Sequence, residues 1–132
     1  MPSFFRRKPA EPPLAGAPAV RRLKTYSAAS GYVYQYVYDG RRPASRAGAP
    51  GVQFVFQVSA DRRSYFPLSV FLPETSVSGF ERPFSGTEHY AIAKLALFRA
   101  FDERETPGAL AAEAVVTREA VVEIVETLGL LS

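Results

Sequence analysis

The sequence predicts an α+β domain: a three- to four-stranded, mainly antiparallel sheet with two helices packed on one face, in the order β-β-β-α-(β)-α. Three successive segments alternate apolar and polar residues with a period of two, which is typical of half-buried strands. Two later segments place apolar residues at helical spacing and begin at residues suited to cap a helix. The chain has 132 residues, 47% of them hydrophobic, which is enough for one domain with a buried core.

The beginning of the chain, residues 1–22, is predicted to be a disordered, basic, proline-rich arm that precedes a single domain over residues 23–132. Prolines recur through residues 1–20, and proline fixes φ and lacks a backbone donor, so neither a helix nor a central strand is expected there. Arg6, Arg7 and Lys8 make this arm either a solvated tail or an anchor for RNA, DNA or lipid headgroups.

The second and third predicted strands, residues 52–59 and 65–72, each gather large apolar side chains on one face. Directly opposed residues share a face, so we predict the pairs Phe56–Leu68 and Phe54–Val70. This register requires a hairpin loop with an odd number of residues, and we place residues 61–63 at its tip, where Arg62 and Arg63 lie. Since Pro67 cannot donate to a strand ladder, the third strand must be an edge strand or be bulged at that point.

The first predicted strand, residues 31–38, has two faces that each suggest a different role. One face carries the tyrosines and the other Val33, Gln35 and Val37; the tyrosines are Tyr32, Tyr34, Tyr36 and Tyr38. We favour tyrosines that face the core, because this orientation groups Gln35 with the glutamines of the second strand on the outer face. The opposite orientation exposes the tyrosines, which could then stack on bases or form a subunit interface.

The segment between the first two strands, residues 39–50, is predicted to be a long arginine-rich loop. It carries Arg41, Arg42 and Arg46 and contains several glycines and prolines. Connections of this length without secondary structure are usually functional or disordered. These arginines are therefore candidate partner-binding residues, together with the arm, the hairpin arginines and Tyr32, Tyr34 and Tyr36.

Two helices are expected in the second half of the chain. Ser85 and Glu88 form a capping-box pattern, which predicts a helix from about Gly86 to Arg104. Thr117 can cap a final helix over residues 118–128, and Gly129 suits a Schellman ending. The segment 112–116 between the helices is ambiguous and could be a fourth strand.

The residues that carry chemistry in enzymes are scarce. The chain has no cysteine, a single histidine (His89) and none of the phosphate-binding, metalloprotease or nucleophile-elbow motifs. His89 is expected at the surface beside a helix cap, with its charged form disfavoured by the helix dipole. Asp102, Glu103 and Glu105 offer oxygen ligands for Mg²⁺, but such runs at helix ends are more often solvated. We therefore expect no cofactor, no metal and no catalytic residue.

The charge distribution points to a charged partner. The net charge is only +3, but basic residues concentrate in residues 1–50 and acidic residues in 101–132. We expect a cytoplasmic, non-enzymatic interaction module, a subunit or accessory of a larger assembly whose partner is another protein or its own copy. The alternative is a nucleic-acid-associated protein that contacts the phosphate backbone through its arm and arginine loops. A third hypothesis, an enzyme with an oxygen-only or backbone-built site, has no motif in its favour.

Overall fold

The computed structural model describes residues 11–130, which form a mixed five-stranded sheet and three helices. The strands lie in chain order in the sheet: β1 Lys24–Ser27, β2 Val33–Arg46, β3 Ala49–Ser59, β4 Phe66–Pro73 and β5 Glu113–Val115. Neighbouring strands from β1 to β4 are antiparallel, and β5 is parallel to β4. The helices are α1 Glu74–Val77, α2 Gly86–Glu103 and α3 Arg118–Leu128, with a 3₁₀ turn over Pro107–Ala109. No helix within this range is long and apolar enough to cross a membrane.

The α+β class predicted from the sequence is confirmed, but the sheet is larger than predicted. β1 was not predicted, because a strand of four residues, three of them Lys, Thr and Ser, is too short and too polar to display an alternating pattern. The optional fourth strand exists as β5, a three-residue strand that pairs with β4 through Ser69–Phe71. The short helix α1 is an addition to the two predicted helices, α2 and α3, whose observed ends agree with the expected ones within one residue.

The predicted long loop over residues 39–50 is wrong. In the structure β2 and β3 continue as a hairpin as far as the pair Arg46–Ala49, and only Ala47 and Gly48 connect them. Both turn residues have positive φ, 51° and 81°, as a type I′ turn requires. The glycine, proline and arginine content suggested a loop, but the ladder to β3 holds these residues in extended conformation.

A β-bulge divides β2 into two parts. Tyr38 opposes Phe56 and Gly40 opposes Val55, so Asp39 is an extra residue without a partner across the ladder. Gly40 has a φ of 124°, and a Cβ built there would lie 2.8 Å from the Ala15 carbonyl oxygen. Glycine is therefore required at this position. The extra residue reverses the side-chain alternation, because even-numbered residues face the core before the bulge and odd-numbered residues face it afterwards.

The core lies between one face of the sheet, called here the inner face, and helices α2 and α3. The predicted pairs Phe56–Leu68 and Phe54–Val70 are confirmed, and all four side chains are buried. They pack with α2 and α3 residues in a single cluster that includes Ile92, Leu97, Phe101, Val121, Ile124 and Val125. The expectation that β4 is an edge strand or bulged at Pro67 is wrong, because β4 lies between β3 and β5 and keeps its register with β3. Pro67 is tolerated because β5 pairs only with residues 69–71, so Pro67 has a neighbouring strand on one side only.

The tyrosines of β2 face the core, as favoured from the sequence. Tyr34 is fully buried and stacks on Phe101 with ring centroids 4.1 Å apart. Tyr36 is 3% exposed, while Tyr38 is half-buried and Tyr32, which precedes the strand, is 40% exposed. On the opposite, outer face, Tyr65 donates from its hydroxyl to Gln35, which confirms where the glutamine side of the strand points.

Both helix starts follow the capping chemistry of the sequence. The Ser85 hydroxyl accepts a hydrogen bond from the Glu88 backbone N–H at 3.1 Å, and the Glu88 carboxylate accepts from the Ser85 N–H at 2.8 Å. The Thr117 hydroxyl caps α3 by accepting from Ala120 N–H, and Gly129 ends the helix in the left-handed conformation. The two long helices are therefore fixed in position at their first turns.

Candidate anion-binding site

A cavity of about 560 Å³ opens where the β1–β2 side of the sheet meets the beginning of α2. We call it the cationic pocket. Its walls come from the segment before β1, from β1 and β2, and from the first turns of α2: Gly16, Pro18, Val20, Arg22, Lys24, Tyr36, Tyr38, Arg41, Gly86, Thr87 and Tyr90. The volume lies within the range of small-molecule binding sites.

Arg41 reaches the cationic pocket because of the β-bulge. After the bulge it opposes Phe54 on the inner face, whereas Arg42 opposes Gln53 on the outer face. The backbone of Arg41 exchanges two hydrogen bonds with Ala15, at 2.9 and 2.8 Å, which hold the segment before β1 against β2. A Cβ built at Gly16 would lie 2.3 Å from an Arg41 guanidinium nitrogen, so only glycine allows this close approach. The guanidinium is thereby held at the pocket wall.

Lys24 and Arg22 add two more positive charges. Lys24 lies on β1 directly opposite Tyr36 in the ladder, which places it on the inner face at the edge of the sheet. Arg22 precedes β1 and lines the same cavity. Behind them on α2, burial lowers the pKa of Lys94 and the nearby Lys24 lowers it further. The positive charge of Lys24 therefore disfavours the charged form of Lys94, which lies beside the cationic pocket.

No carboxylate compensates these charges. Among the described residues that line the cationic pocket there is neither Asp nor Glu. Within residues 11–130, Arg22, Lys24 and Arg41 form no ion pair, whereas five other arginines do: Arg21, Arg42, Arg46, Arg82 and Arg99. Even Glu88, in the first turn of α2, directs its carboxylate to Arg82 at 2.7 Å.

Three tyrosines supply hydroxyl groups to the wall between the cations. Burial, with a smaller contribution from Tyr90, raises the pKa of Tyr36 to about 12. Burial also raises the pKa of Tyr38 and Tyr90, although the nearby Arg41 guanidinium lowers that of Tyr38. All three hydroxyls are therefore protonated at neutral pH and able to donate. The buried Tyr38 hydroxyl has no partner in hydrogen-bonding geometry within the described chain.

Arg42 and Arg46, two of the predicted binding residues, take part in a polar network on the outer face. Arg42 donates from Nε to Gln53 at 2.8 Å and pairs with the Glu11 carboxylate at 3.1 Å. Arg46 donates two hydrogen bonds to Glu113, at 2.7 and 2.9 Å, and its guanidinium lies over the Phe71 ring. Their donors are largely occupied by groups of the chain itself, unlike those of Arg41.

Those of the other predicted binding residues that the structure describes lie apart from the cationic pocket, except Tyr36. Arg62 and Arg63 are exposed in the β3–β4 turn, which the Asp61 carboxylate organises by accepting from the Arg63 and Ser64 N–H groups. Tyr32 is partly exposed, and Tyr34 is too deeply buried to contact a partner. Arg6, Arg7 and Lys8 lie outside the described residues. Residues 11–22 of the predicted arm form no helix or strand apart from the Ala15–Arg41 bridge.

His89 lies in the first turn of α2, and the acidic residues Asp102 and Glu103 lie in its last turn. Burial lowers the pKa of His89, the direction predicted, although the cause predicted was the helix terminus. The Asp102 carboxylate accepts from the Tyr26 hydroxyl at 2.7 Å and from the Ala29 N–H at 2.9 Å, so it ties α2 to β1. In the part of the chain that the structure describes, no group of three His, Asp or Glu side chains is placed to hold a metal ion.

Sequence reasoning missed Arg22, Lys24, Tyr38 and Tyr90 as site residues. Lys24 could not be assigned to a face because β1 was not recognised. The one available signal was Asp39-Gly40 inside a strand pattern, since an internal glycine often marks a bulge. Recognising that bulge would have placed Arg41 and Arg42 on opposite faces.

Comparison of this chain with protein-family models, with curated proteins and with solved structures finds no match. The chemistry of the cationic pocket must therefore be inferred from its own residues.

Proposed function

We propose that this chain is a non-enzymatic binding module that holds an anionic group of its partner in the cationic pocket. One observation carries the proposal: three cations surround a cavity of about 560 Å³ whose described lining contains no carboxylate. An anion in that cavity would be attracted by Arg22, Lys24 and Arg41, which form no ion pair within residues 11–130, and would accept hydrogen bonds from their donors.

A second cavity of similar size provides the contrast. It measures about 490 Å³ and lies between α2, α3 and β5. Its lining includes two arginines, Arg99 and Arg104, together with glutamates such as Glu119 and Glu123, and Arg99 pairs with Glu123. Four glutamates face two arginines in that lining, so its excess of negative charge disfavours an anion. This difference favours the cationic pocket as the binding site.

The experiment measures stabilisation by anions. Thermal unfolding is followed by circular dichroism in acetate, succinate or phosphate, with chloride used to keep the ionic strength constant. A ligand that binds only the folded state raises the melting temperature as its concentration passes its dissociation constant. We expect multivalent anions to raise the melting temperature of the natural chain but not that of the double variant Lys24→Gln, Arg41→Gln.

The matched control is the double variant Arg62→Gln, Arg63→Gln, which removes the same charge from the exposed β3–β4 turn. It should respond to anions like the natural chain. Equal responses of both double variants would show that net charge, not the cationic pocket, governs anion binding, and would refute the proposal.

The nucleic-acid alternative is tested with the same variants. Retention on a single-stranded oligonucleotide is measured against salt, since each phosphate contact adds to the slope of log affinity against log salt concentration. If the slope is steep, and if Arg62→Gln with Arg63→Gln lowers it as much as Lys24→Gln with Arg41→Gln does, then nucleic acid contacts the whole basic surface through its phosphate backbone. A self-association test by light scattering identifies a second copy as the partner if the mass exceeds 14.5 kDa only with an intact pocket.

A further inference from the structure

We infer that the anionic group is a phosphomonoester carried on an apolar or ring-bearing body. This inference rests on the proposed function and specifies its ligand. Three features of the cationic pocket lead to it: the number of positive charges, the kind of donors, and the space that remains beside them.

The charge favours a dianion. Arg22, Lys24 and Arg41 line the cavity and Lys94 lies close behind Lys24. A single carboxylate would leave most of this charge uncompensated, whereas a phosphomonoester carries about −1.5 to −2 at neutral pH. A dianion therefore offsets more of the repulsion in the cationic pocket than a monocarboxylate does.

The donors favour a tetrahedral group with three free oxygens. The Arg41 guanidinium offers several N–H groups and lies close to the Tyr38 hydroxyl, which is closed to solvent and has no partner of hydrogen-bond geometry in the described chain. Gly86 and Thr87, at the first two positions of α2, also line the cavity, and amides at those positions have no acceptor within their own helix. Donors thus come from two elements, β2 and α2, which meet where a Cβ built at Gly86 would lie 3.9 Å from an Arg41 guanidinium nitrogen. A planar carboxylate has only two oxygens to meet them.

The remaining space favours an organic body. A cavity of about 560 Å³ is far larger than a phosphate group requires, and part of its wall consists of Pro18, Val20 and tyrosine rings. Inorganic phosphate would leave this apolar surface uncovered. A nucleoside monophosphate or a phosphorylated side chain of a peptide would cover it, and both present the same chemistry to the cations.

The test compares ligands that differ in one feature at a time, by calorimetric titration at pH 7.5. The probes are phenyl phosphate, inorganic phosphate, and phenylmalonate, which has the ring and two negative charges but planar carboxylates. We expect phenyl phosphate to bind about tenfold tighter than either of the others, the difference expected for one charged hydrogen bond or for a buried ring. Adenosine monophosphate and a phosphotyrosine peptide then show which source of phosphomonoester binds more tightly.

Two further readouts test the donors. Tyr38→Phe keeps the ring and removes the hydroxyl, so it should weaken phenyl phosphate by about five- to tenfold. The matched control is Tyr65→Phe on the outer face, which should bind phenyl phosphate with the affinity of the natural chain. Affinity for phenyl phosphate should also fall as the pH drops below about 6, where the monoester gains its second proton.

The outcomes separate the two proposals. If phenylmalonate binds as tightly as phenyl phosphate, and Lys24→Gln with Arg41→Gln weakens both, then the pocket takes up anions but the phosphomonoester inference is wrong. If inorganic phosphate equals phenyl phosphate, the inferred organic body is wrong. If no anion binds, the proposed function fails and the inference fails with it.

Discussion

Arg41 and Arg42 are neighbours in the chain, yet they occupy opposite electrostatic surroundings. Arg42 faces outward, donates to Gln53 and pairs with Glu11, and Arg46 beside it is paired with Glu113. Arg41 faces inward and shares the wall of the cationic pocket with Lys24 and three tyrosines, and no carboxylate is among the described residues of that wall. A single bulge residue, Asp39, creates the difference by reversing the alternation of β2.

This comparison teaches that the number of arginines says little about where a partner binds. On the outer face the charges are balanced and serve to order the surface, since paired surface arginines contribute at most about 1 kcal/mol each. On the inner face the unbalanced charges gain nothing from the fold itself. Unbalanced charge beside a cavity is therefore a better indication of a binding site than a run of basic residues.

The largest expected effect separates the two faces at adjacent positions, Phe54 and Gln53. Phe54 is fully buried on the inner face, so Phe54→Ala should lower the free energy of unfolding by about 3–5 kcal/mol. Gln53 lies on the outer face and bonds to Arg42, Ser69 and Glu113. Gln53→Ala should cost only about 1–3 kcal/mol, from hydrogen bonds left unmade. Urea unfolding of both variants measures the difference.

An equal loss at the two positions would contradict the assignment of the core to one face. A second variant is Gln53→Glu, which keeps the acceptor for Arg42, loses the donors to Ser69 and Glu113 and places a second carboxylate beside Glu113. Its free energy of unfolding should lie between those of Gln53→Ala and the natural chain only if the hydrogen bond with Arg42 contributes most of the network's stability.

The elements that the sequence predicted well are those whose local pattern and tertiary environment agree. The β3–β4 register followed from alternation alone, because burial of one face fixes which residues can oppose each other. The beginning of α2 followed from Ser85 and Glu88, whose capping bonds are local. The helix start depends on residues three positions apart, and the strand register depends only on which residues share a face.

The cationic pocket could not be predicted in the same way, because its residues depend on long-range placement. Lys24 lies there only because β1 pairs with β2, and Arg41 only because a bulge precedes it. Tyr90 arrives from α2, more than fifty positions beyond β1 in the chain. Composition placed Arg41, Arg42 and Arg46 in one flexible loop, whereas the β3 ladder holds them in a strand that presents them to different faces.

The second largest expected effect is on stability at acid pH, and it comes from a paired charge, the Glu88 carboxylate bound to Arg82. The Arg82 guanidinium and the Ser85 N–H lower the pKa of Glu88 from 4.5 to about 2. Because the folded-state pKa is the lower one, Glu88 stabilises the fold above pH 4.5, and this contribution is lost as the pH falls from 4.5 towards 2.

Glu88→Gln should therefore be less stable than the natural chain at pH 7, and the difference should shrink between pH 4.5 and 2. Urea midpoints measured across this range check the prediction. Glu119→Gln, which changes the first turn of α3 by the same chemistry, is the control, since Glu119 forms no ion pair within residues 11–130. A gap between Glu88→Gln and the natural chain that stays constant with pH would refute the pairing.

The smallest expected effect tests the two neighbouring arginines directly. Arg42→Gln should lower the free energy of unfolding by about 0.5–1.5 kcal/mol, because it removes the bond to Gln53 and the pair with Glu11. Arg41→Gln should change it by less than about 0.5 kcal/mol at low salt, since it removes repulsion from Lys24 and breaks no ion pair. Urea unfolding at low ionic strength and in 1 M NaCl measures both. Salt should reduce the Arg42 effect, because at 1 M the Debye length is only about 3 Å. A loss at Arg41 as large as that at Arg42 would mean that Arg41 supports the fold itself, and its charge would then no longer indicate a ligand.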